Sequence, residues 1–362
     1  ELEITEEMLD LISKREEEMK NYTNGSIDHK FIGYLKDELL SPAKIIEVRT
    51  RVIFCNSSLS MMCFRKMMGS FLVAVFSSWK KTSFGIGLNP NSYDMHSVYT
   101  YLSKVGDRFY SGDFKNFDQR HQRQFRKCAY DIIYDLCRDF ITPEEWKYFV
   151  RHETESECIM DGFGFRTQSN HFSGCFLTTI VNCMVVELYM RYCFAILEPK
   201  LLFDGNIKMK ILGDDHILCI SKEVKFTPTL LAKAMENIGQ IYTTIDKDFE
   251  FGDWVKFKDI MFLGVHPVII DDKWSGAQNK NSLYEMVQWK HSKCADPIEI
   301  ARGALEMASQ HGLDFFNDYQ EQLNEVLDDY MLPLFRYNHG SLQLVVARRN
   351  TSDLMGYQAQ AG

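Results

Sequence analysis

Apolar residues recur at spacings of three and four along several stretches of the chain, and alternate with polar ones along others. "EEMLDLISKREEEMK" (Glu6–Lys20) predicts a charged, peripheral amphipathic helix that "NYTNGS" closes. Helical spacing returns in "SMMCFRKMMGSFLVAVFSSWKK" and in "HQRQFRKCAYDIIYDLCRDF", and "ITPEE" opens a further helix. "TPTLLAKAMENIGQIY" is helical with proline near its start, and the chain from about Leu283 onward is mainly helical. "IIEVRTRVIFC" alternates and is rich in β-branched residues, which predicts a strand. "RFYSGDF" predicts a short strand ending at Asp113. "KMKILGDDHILCIS" (Lys208–Ser221) predicts a hairpin about Gly213, and "KDIMFLGVHPVIIDDKW" a second one turning at Asp271 and Asp272. "FGIGLNPNSYD" is a loop.

At 362 residues the chain is long enough for two or three subdomains, and no repeat or low-complexity linker separates them. Its ten cysteines form no C-x-x-C pair and no zinc-like ladder, which points to reduced core thiols in a cytosolic protein. "CFLTTIVNCMVVELYMRYCFAIL" (Cys175–Leu197) could span a bilayer by length. Asn182, Glu187 and Arg191 interrupt it, and the last two are spaced as a helical ion pair. A buried helix is expected there, with no transmembrane segment. The net charge of −9 argues against a polyanionic partner, but the charge is uneven. Between Lys30 and Arg151 there are 19 Lys and Arg against 12 Asp and Glu, a basic middle that suits either a solvated face or a local phosphate track.

Candidate chemistry centres on Asp214 and Asp215, adjacent acids at the tip of an apolar hairpin. Acids favour turns for their own reasons, and Asp271-Asp272 and Asp328-Asp329 are further pairs, so the dipeptide alone decides nothing. Asp113 adds weight. Antiparallel pairing of its strand with the hairpin brings it beside Asp214, and three converging carboxylates suit two Mg²⁺ ions clamping a phosphoryl transfer. Ser173 and Gly174 lead into the apolar helix, where Thr178 and Asn182 share one face. Capping accounts for Ser173 and Thr178 more readily than for Asn182. If Arg49-Thr50-Arg51 lies on a strand, both guanidinium groups point to one side, as a fork for triphosphate oxygens or as an ordinary exposed face.

Taken in order, "KDELLSPAKIIEVRTRVI", "GDFKNFD", "SGCFLTTIVN", "LGDDHI", "TTIDKDF" and "FLGV" resemble polymerase motifs F, A, B, C, D and E. The family is the RNA-dependent RNA polymerases of positive-strand, picornavirus-like viruses, and "YEMVQWKHSKCADP" resembles its thumb. The resemblance runs from about Phe31 onward. It implies an α+β, right-handed polymerase fold: fingers at 1–107 and 140–170, a palm of antiparallel sheet backed by helices at 108–139 and 171–269, and a helical thumb at 270–362. The N-terminal part of the family's fingers has no counterpart here.

By residue, the resemblance makes Asp113 and Asp214 metal ligands with Asp215 beside them, and Lys247 a proton donor to pyrophosphate. It assigns Asp118, Ser173, Gly174, Thr178 and Asn182 to the incoming nucleotide and its ribose. Lys36, Lys44, Arg49 and Arg51 fall to phosphate and RNA. Two Mg²⁺ are the implied cofactors, with Mn²⁺ able to substitute. The implied partners are an RNA template and primer, ribonucleoside triphosphates, a protein primer and other viral replication proteins. The implied location is host cytoplasm at membrane-associated replication complexes. Leu212 replaces the family's usual aromatic residue before Gly-Asp-Asp, and "FLGV" lacks a cation often present. The competing readings are a reverse transcriptase or other palm polymerase, and a catalytically silent RNA-binding fragment. The first usually carries a bulky aromatic residue where Asp118 stands.

Overall fold

The periodicities become elements largely where the pattern places them. In this computed structural model the described residues are 5–349, except 28, 39, 41, 49, 156, 167–170, 248 and 289–295. In chain order the elements are α1 (Glu6–Lys20), β1 (Lys30–Leu35), α2 (Pro42–Ile46), β2 (Val52–Cys55) and α3 (Ser58–Ser78). Next come α4 (Asp94–Leu102), β3 (Arg108–Phe114), α5 (Arg123–Cys137), α6 (Pro143–Glu155), β4 (Glu157–Met160) and β5 (Phe163–Arg166). Then follow α7 (Thr178–Leu197), α8 (Phe203–Asn206), β6 (Ile207–Leu212), β7 (Asp215–Ile220), α9 (Pro228–Glu236) and β8 (Tyr242–Thr244). The chain continues with β9 (Val265–Ile270), β10 (Lys273–Gln278), α10 (Lys280–Gln288), α11 (Pro297–Ala308), α12 (Leu313–Asp329) and α13 (His339–Arg348).

Two compact units share these elements. The first comprises Glu1–Phe76, Phe114–Phe194 and Ala232–Tyr242. Its sheet has the order β2-β1-β4-β5, with β1 parallel to β4 and antiparallel to β2. Behind it lies a helical core that includes Phe64, Tyr130, Ile133 and Phe149, all buried. α7 is apolar all round because it is a core helix: 61% of its most apolar window is buried, and Glu187 pairs with Arg191 as the spacing predicts. α3 is also long and apolar enough to cross a membrane, with 33% of its window buried.

The second unit comprises Ser77–Asp113, Ala195–Leu231 and Thr243–Gly362. β6, β7 and β3 form successive antiparallel neighbours, and β8 lies beyond β3. One face of this sheet packs Phe109, Ile217 and Cys219 against Met95, Val98 and Leu102 of α4 and against Phe257 and Phe262. Lys210 of β6 is fully buried. It donates to the carbonyls of Trp79 and Thr82 and sits 3.9 Å from the Tyr101 ring centre. A separate core holds α10 to α13 together around Leu305, Phe316 and Tyr319.

One element departs from expectation. The strand predicted over Ile45–Cys55 is two pieces: Ile45 and Ile46 close α2, and β2 begins only at Val52. Pro42 presets the first helical turn, and this outweighs the β-branched run after it. Thr50 and Arg51 therefore lie outside the strand, Arg49 lies outside the described residues, and the two-guanidinium fork loses its geometric basis. Most of "WKHSKCADP" also lies outside the described residues.

Candidate active site

The β6–β7 hairpin pairs Leu212 with Asp215, which leaves Gly213 and Asp214 as a two-residue turn. Its first position has φ +69, a value glycine adopts without strain. Asp214 is thus at the tip, while Asp215 is the first residue of β7. β3 lies antiparallel on the other side of β7 with Gly112 opposite His216. The same register carried one residue further sets Asp113 level with Asp215, on the same face of the sheet. Asp113 therefore faces Asp215 across the strands, and Asp214 stands on the adjoining turn.

The electrostatics follow. Burial pushes the Asp215 carboxyl above its ordinary range, Asp113 adds to the rise, and Lys247 opposes it. Lys247 Nζ lies 3.5 Å from Asp113 Oδ2, and this lysine is 77% exposed against 14% for the aspartate. Lys247 sits in the turn after β8 at φ +68, and its amide donates to the Thr244 carbonyl at 3.0 Å. A left-handed non-glycine residue costs about 1 kcal/mol, so the turn holds its lysine under strain. His216, which the motif reading passed over, is buried, and burial lowers its imidazole to about 4. Being neutral, it donates from Nδ1 to the Asp214 carbonyl at 2.8 Å and pins the turn from below.

The first unit holds the second group of candidates. Asp118 lies in a 3-10 turn (Phe117–Gln119) that follows Asn116 at φ +55. Asn182 Nδ2 donates to Asp118 Oδ1 at 3.1 Å; burial raises the Asp118 carboxyl, and this bond holds it back. The Phe54 amide donates to Ser173 Oγ at 3.3 Å. A Cβ on Gly174 would stand 2.0 Å from the Phe54 carbonyl oxygen, so only glycine fits that approach. The Thr178 hydroxyl points back at the carbonyls of Phe172 (3.0 Å) and Cys175 (2.7 Å), which is a loop-capping role.

The basic group is tied to an acid that the sequence reading did not single out. Arg51 makes a two-pronged ion pair with Glu38, and Lys36 Nζ lies 3.4 Å from the same carboxylate. The Arg51 hydrogen bond, with Lys36 behind it, holds Glu38 down at about 2. Lys44 is exposed on α2.

A family model described as viral RNA-dependent RNA polymerase matches residues 3–328. The chain belongs to this family. Relatives of this chain occur in picorna-like viruses. The genome polyprotein of Rice tungro spherical virus (strain Vt6) is 26% identical over 83% of this chain and 9% of the polyprotein. The replicase polyprotein of Cricket paralysis virus is 27% identical over 90% of the chain and 20% of its own length. The genome polyprotein of Deformed wing virus is 24% identical over 82% of the chain and 11% of its own length. The chain thus spans a fifth or less of these curated relatives. Among solved structures, the Sicinivirus 3Dpol RNA dependent RNA polymerase superposes with a TM-score of 0.79 at 16% identity, covering 96% of this chain and 72% of that one. That likeness establishes the α+β polymerase fold.

Polymerases of this family use divalent cations, and the donors here fit a hard one: carboxylate oxygens at adjacent strand ends, partly buried and mutually repelling. As the side chains stand, no three His, Cys, Asp or Glu groups among the described residues are gathered to hold an ion. Asp113 and Asp215 form the pair, and Asp214 stands on the adjoining turn.

Proposed function

We propose that this polymerase catalyses RNA-templated RNA synthesis, joining ribonucleoside monophosphates from their triphosphates to an RNA primer 3′ end during viral genome replication. The observation that carries the reading is the juxtaposition of Asp113 and Asp215 at the ends of paired strands, with Asp214 on the adjoining turn. Two bound Mg²⁺ ions, held by Asp113, Asp214 and Asp215, would supply Lewis-acid stabilisation of the attacking oxygen and the phosphoryl charge. Residues of this chain do the rest. Asp118 and Asn182 hydrogen-bond the ribose hydroxyls, and their mutual bond makes one acceptor–donor unit of them. An aromatic ring in place of Asp118 would instead exclude a 2′-hydroxyl, so the pair favours ribonucleotides over a reverse transcriptase's substrates. Ser173 and Gly174 shape the floor beside them. Lys247 leaves Asp113 to give its proton to the departing pyrophosphate. Lys36, Lys44, Arg49 and Arg51 attract triphosphate and RNA phosphates, with Glu38 tempering two of them.

In this reading residues 1–107 and 140–170 act as fingers, 108–139 and 171–269 as palm, and 270–362 as thumb. A protein primer and other viral replication proteins are the further partners, at membrane-associated complexes in the host cytoplasm. The test is extension of RNA and DNA primer-templates with ribo- and deoxyribonucleotides, with and without Mg²⁺. Mg²⁺-dependent ribonucleotide addition on RNA alone is expected. Preference for deoxyribonucleotides, or RNA binding without synthesis, would overturn it.

A further inference from the structure

Two buried histidines lie beside the ribose-sensing pair without belonging to it. His121 follows the 3-10 turn that carries Asp118, and His171 opens the loop that carries Ser173 and Gly174. Their rings are stacked, with centres 5.2 Å apart and planes 12° from parallel. They are 2% and 1% exposed. The Phe117 ring meets His121 edge-on at 4.6 Å.

Among the described residues, neither nitrogen of either ring has a hydrogen-bond partner. The Thr178 backbone carbonyl approaches the His171 ring and favours its charged form, against the larger effect of burial. Burial keeps both imidazoles neutral, holding His171 near 3, and Arg126 on α5 disfavours a charge on either ring. A ring anchored by a hydrogen bond keeps its place alone. Among the described residues His121 has no such anchor and His171 has that carbonyl's approach alone, so the place of His121 depends on the stack.

That dependence reaches the ribose site by a short route. The His171 backbone amide donates to the Asp118 carbonyl at 3.0 Å, and the Asp118 carboxyl in turn receives Asn182. The stack therefore joins the Asp118 turn to the Ser173–Gly174 loop at the point where one backbone bond also joins them.

We infer that His121 and His171 are positioning residues for ribose discrimination: their stack sets the Asp118 turn against Asn182. The inference rests on reading Asp118 and Asn182 as the ribose-sensing pair, and it adds a specificity determinant outside that pair.

The test measures kcat/KM for ribo- and deoxyribonucleotide addition by the full chain, with folding checked by circular dichroism and thermal melting. His121→Ala and His171→Ala should each lower the ribo-to-deoxy ratio by about tenfold, the loss of roughly one well-placed hydrogen bond. The double alanine variant should be no worse than either single one, because either change breaks the same stack. His121→Phe and His171→Phe, which keep a flat ring, should hold the ratio within about twofold. A merely structural role would lower stability and all activities together and leave the ratio unmoved.

Folded alanine variants with the wild-type ratio, or single effects that add fully in the double variant, would overturn the inference. If the alanine variants do not fold, the phenylalanine variants decide, and a lowered ratio in a folded one overturns the stacking role. Asp118→Ala and Asn182→Ala serve as the control on the underlying reading. If they leave the ratio unchanged, the ribose assignment falls and this inference with it. If they lower it while the histidine variants do not, only this inference falls.

Discussion

Replacing Glu153 by glutamine should make the protein more stable, and increasingly so as pH rises. Glu153 lies in the last turn of α6 and is 1% exposed. Its Oε1 is 3.3 Å from His152 Nδ1, but burial holds that imidazole near 3, so it brings no positive charge. Desolvation lifts the carboxyl to about 8, against weaker opposing pulls from the amides of Phe176 and Leu177 at the head of α7. In the unfolded chain a glutamate titrates near 4.3. Between those two values the folded state binds one proton more than the unfolded state, so stability falls with rising pH. The slope is about 1.4 kcal/mol per pH unit, flat below the lower value and above the upper one. Glutamine keeps the shape of the protonated acid and has no proton to lose. Wild type and Glu153→Gln should therefore coincide near pH 4 and separate by about 4–5 kcal/mol near pH 8. Urea denaturation of both proteins at several pH values across that window measures the gap. Parallel profiles, or a glutamine variant that is less stable throughout, would show that Glu153 is ionised in the fold and that its desolvation is compensated.

Three further outcomes follow from the site. Glu38→Gln should lower the KM of every nucleotide by up to about fivefold by releasing Arg51 and Lys36, and Arg51→Ala should raise it equally for all bases; steady-state kinetics with each nucleotide checks this, and a base-selective change would place Arg51 away from the triphosphate. Asp118→Ala and Asn182→Ala should reduce the ribo-to-deoxy ratio by about 10- to 100-fold and slow ribonucleotide transfer less, measured by competition between the two substrates; an unchanged ratio refutes the assignment. Lys247→Leu should slow single-turnover addition by about 10²-fold or more with RNA affinity intact, while Lys247→His should retain more activity as pH falls. Equal rates for all three proteins would leave Lys247 as a surface partner of Asp113.

Much of this was legible in the chain because strong periodicity and turn chemistry agreed. The Glu6–Lys20 helix, the Gly213 hairpin and the Asp271-Asp272 turn stand where the pattern places them, and both of those aspartates have the positive φ of a two-residue hairpin turn. β1 escaped because it is apolar on both faces: Phe31 and Gly33 face in, while Ile32 and Tyr34 face out, so no polar alternation marks it. The β4–β5 hairpin carried a signal that went unread. "MDGF" holds Asp161-Gly162, and both residues have positive φ. In the site, adjacency in sequence made Asp214 and Asp215 look equivalent, and only the strand register sets Asp215 level with Asp113. Glu38 was hidden because an acid among bases reads as dilution of charge, whereas here it pairs with both Lys36 and Arg51. His121 and His171 are 50 residues apart, and no local pattern foretells their stack.

The central claim is that Asp113, Asp214 and Asp215 carry nucleotidyl transfer. It is tested most directly by single-turnover ribonucleotide addition to an RNA primer-template at saturating Mg²⁺, comparing wild type with Asp113→Asn, Asp214→Asn and Asp215→Asn. Each variant should fold, and Asp215→Asn should melt no lower than wild type because it removes a buried, repelled carboxylate. Each should lose about 10³-fold or more in rate, on the order of a ligand's share in several kcal/mol of Lewis-acid stabilisation. Near-wild-type rates in any one of the three folded variants would contradict the account.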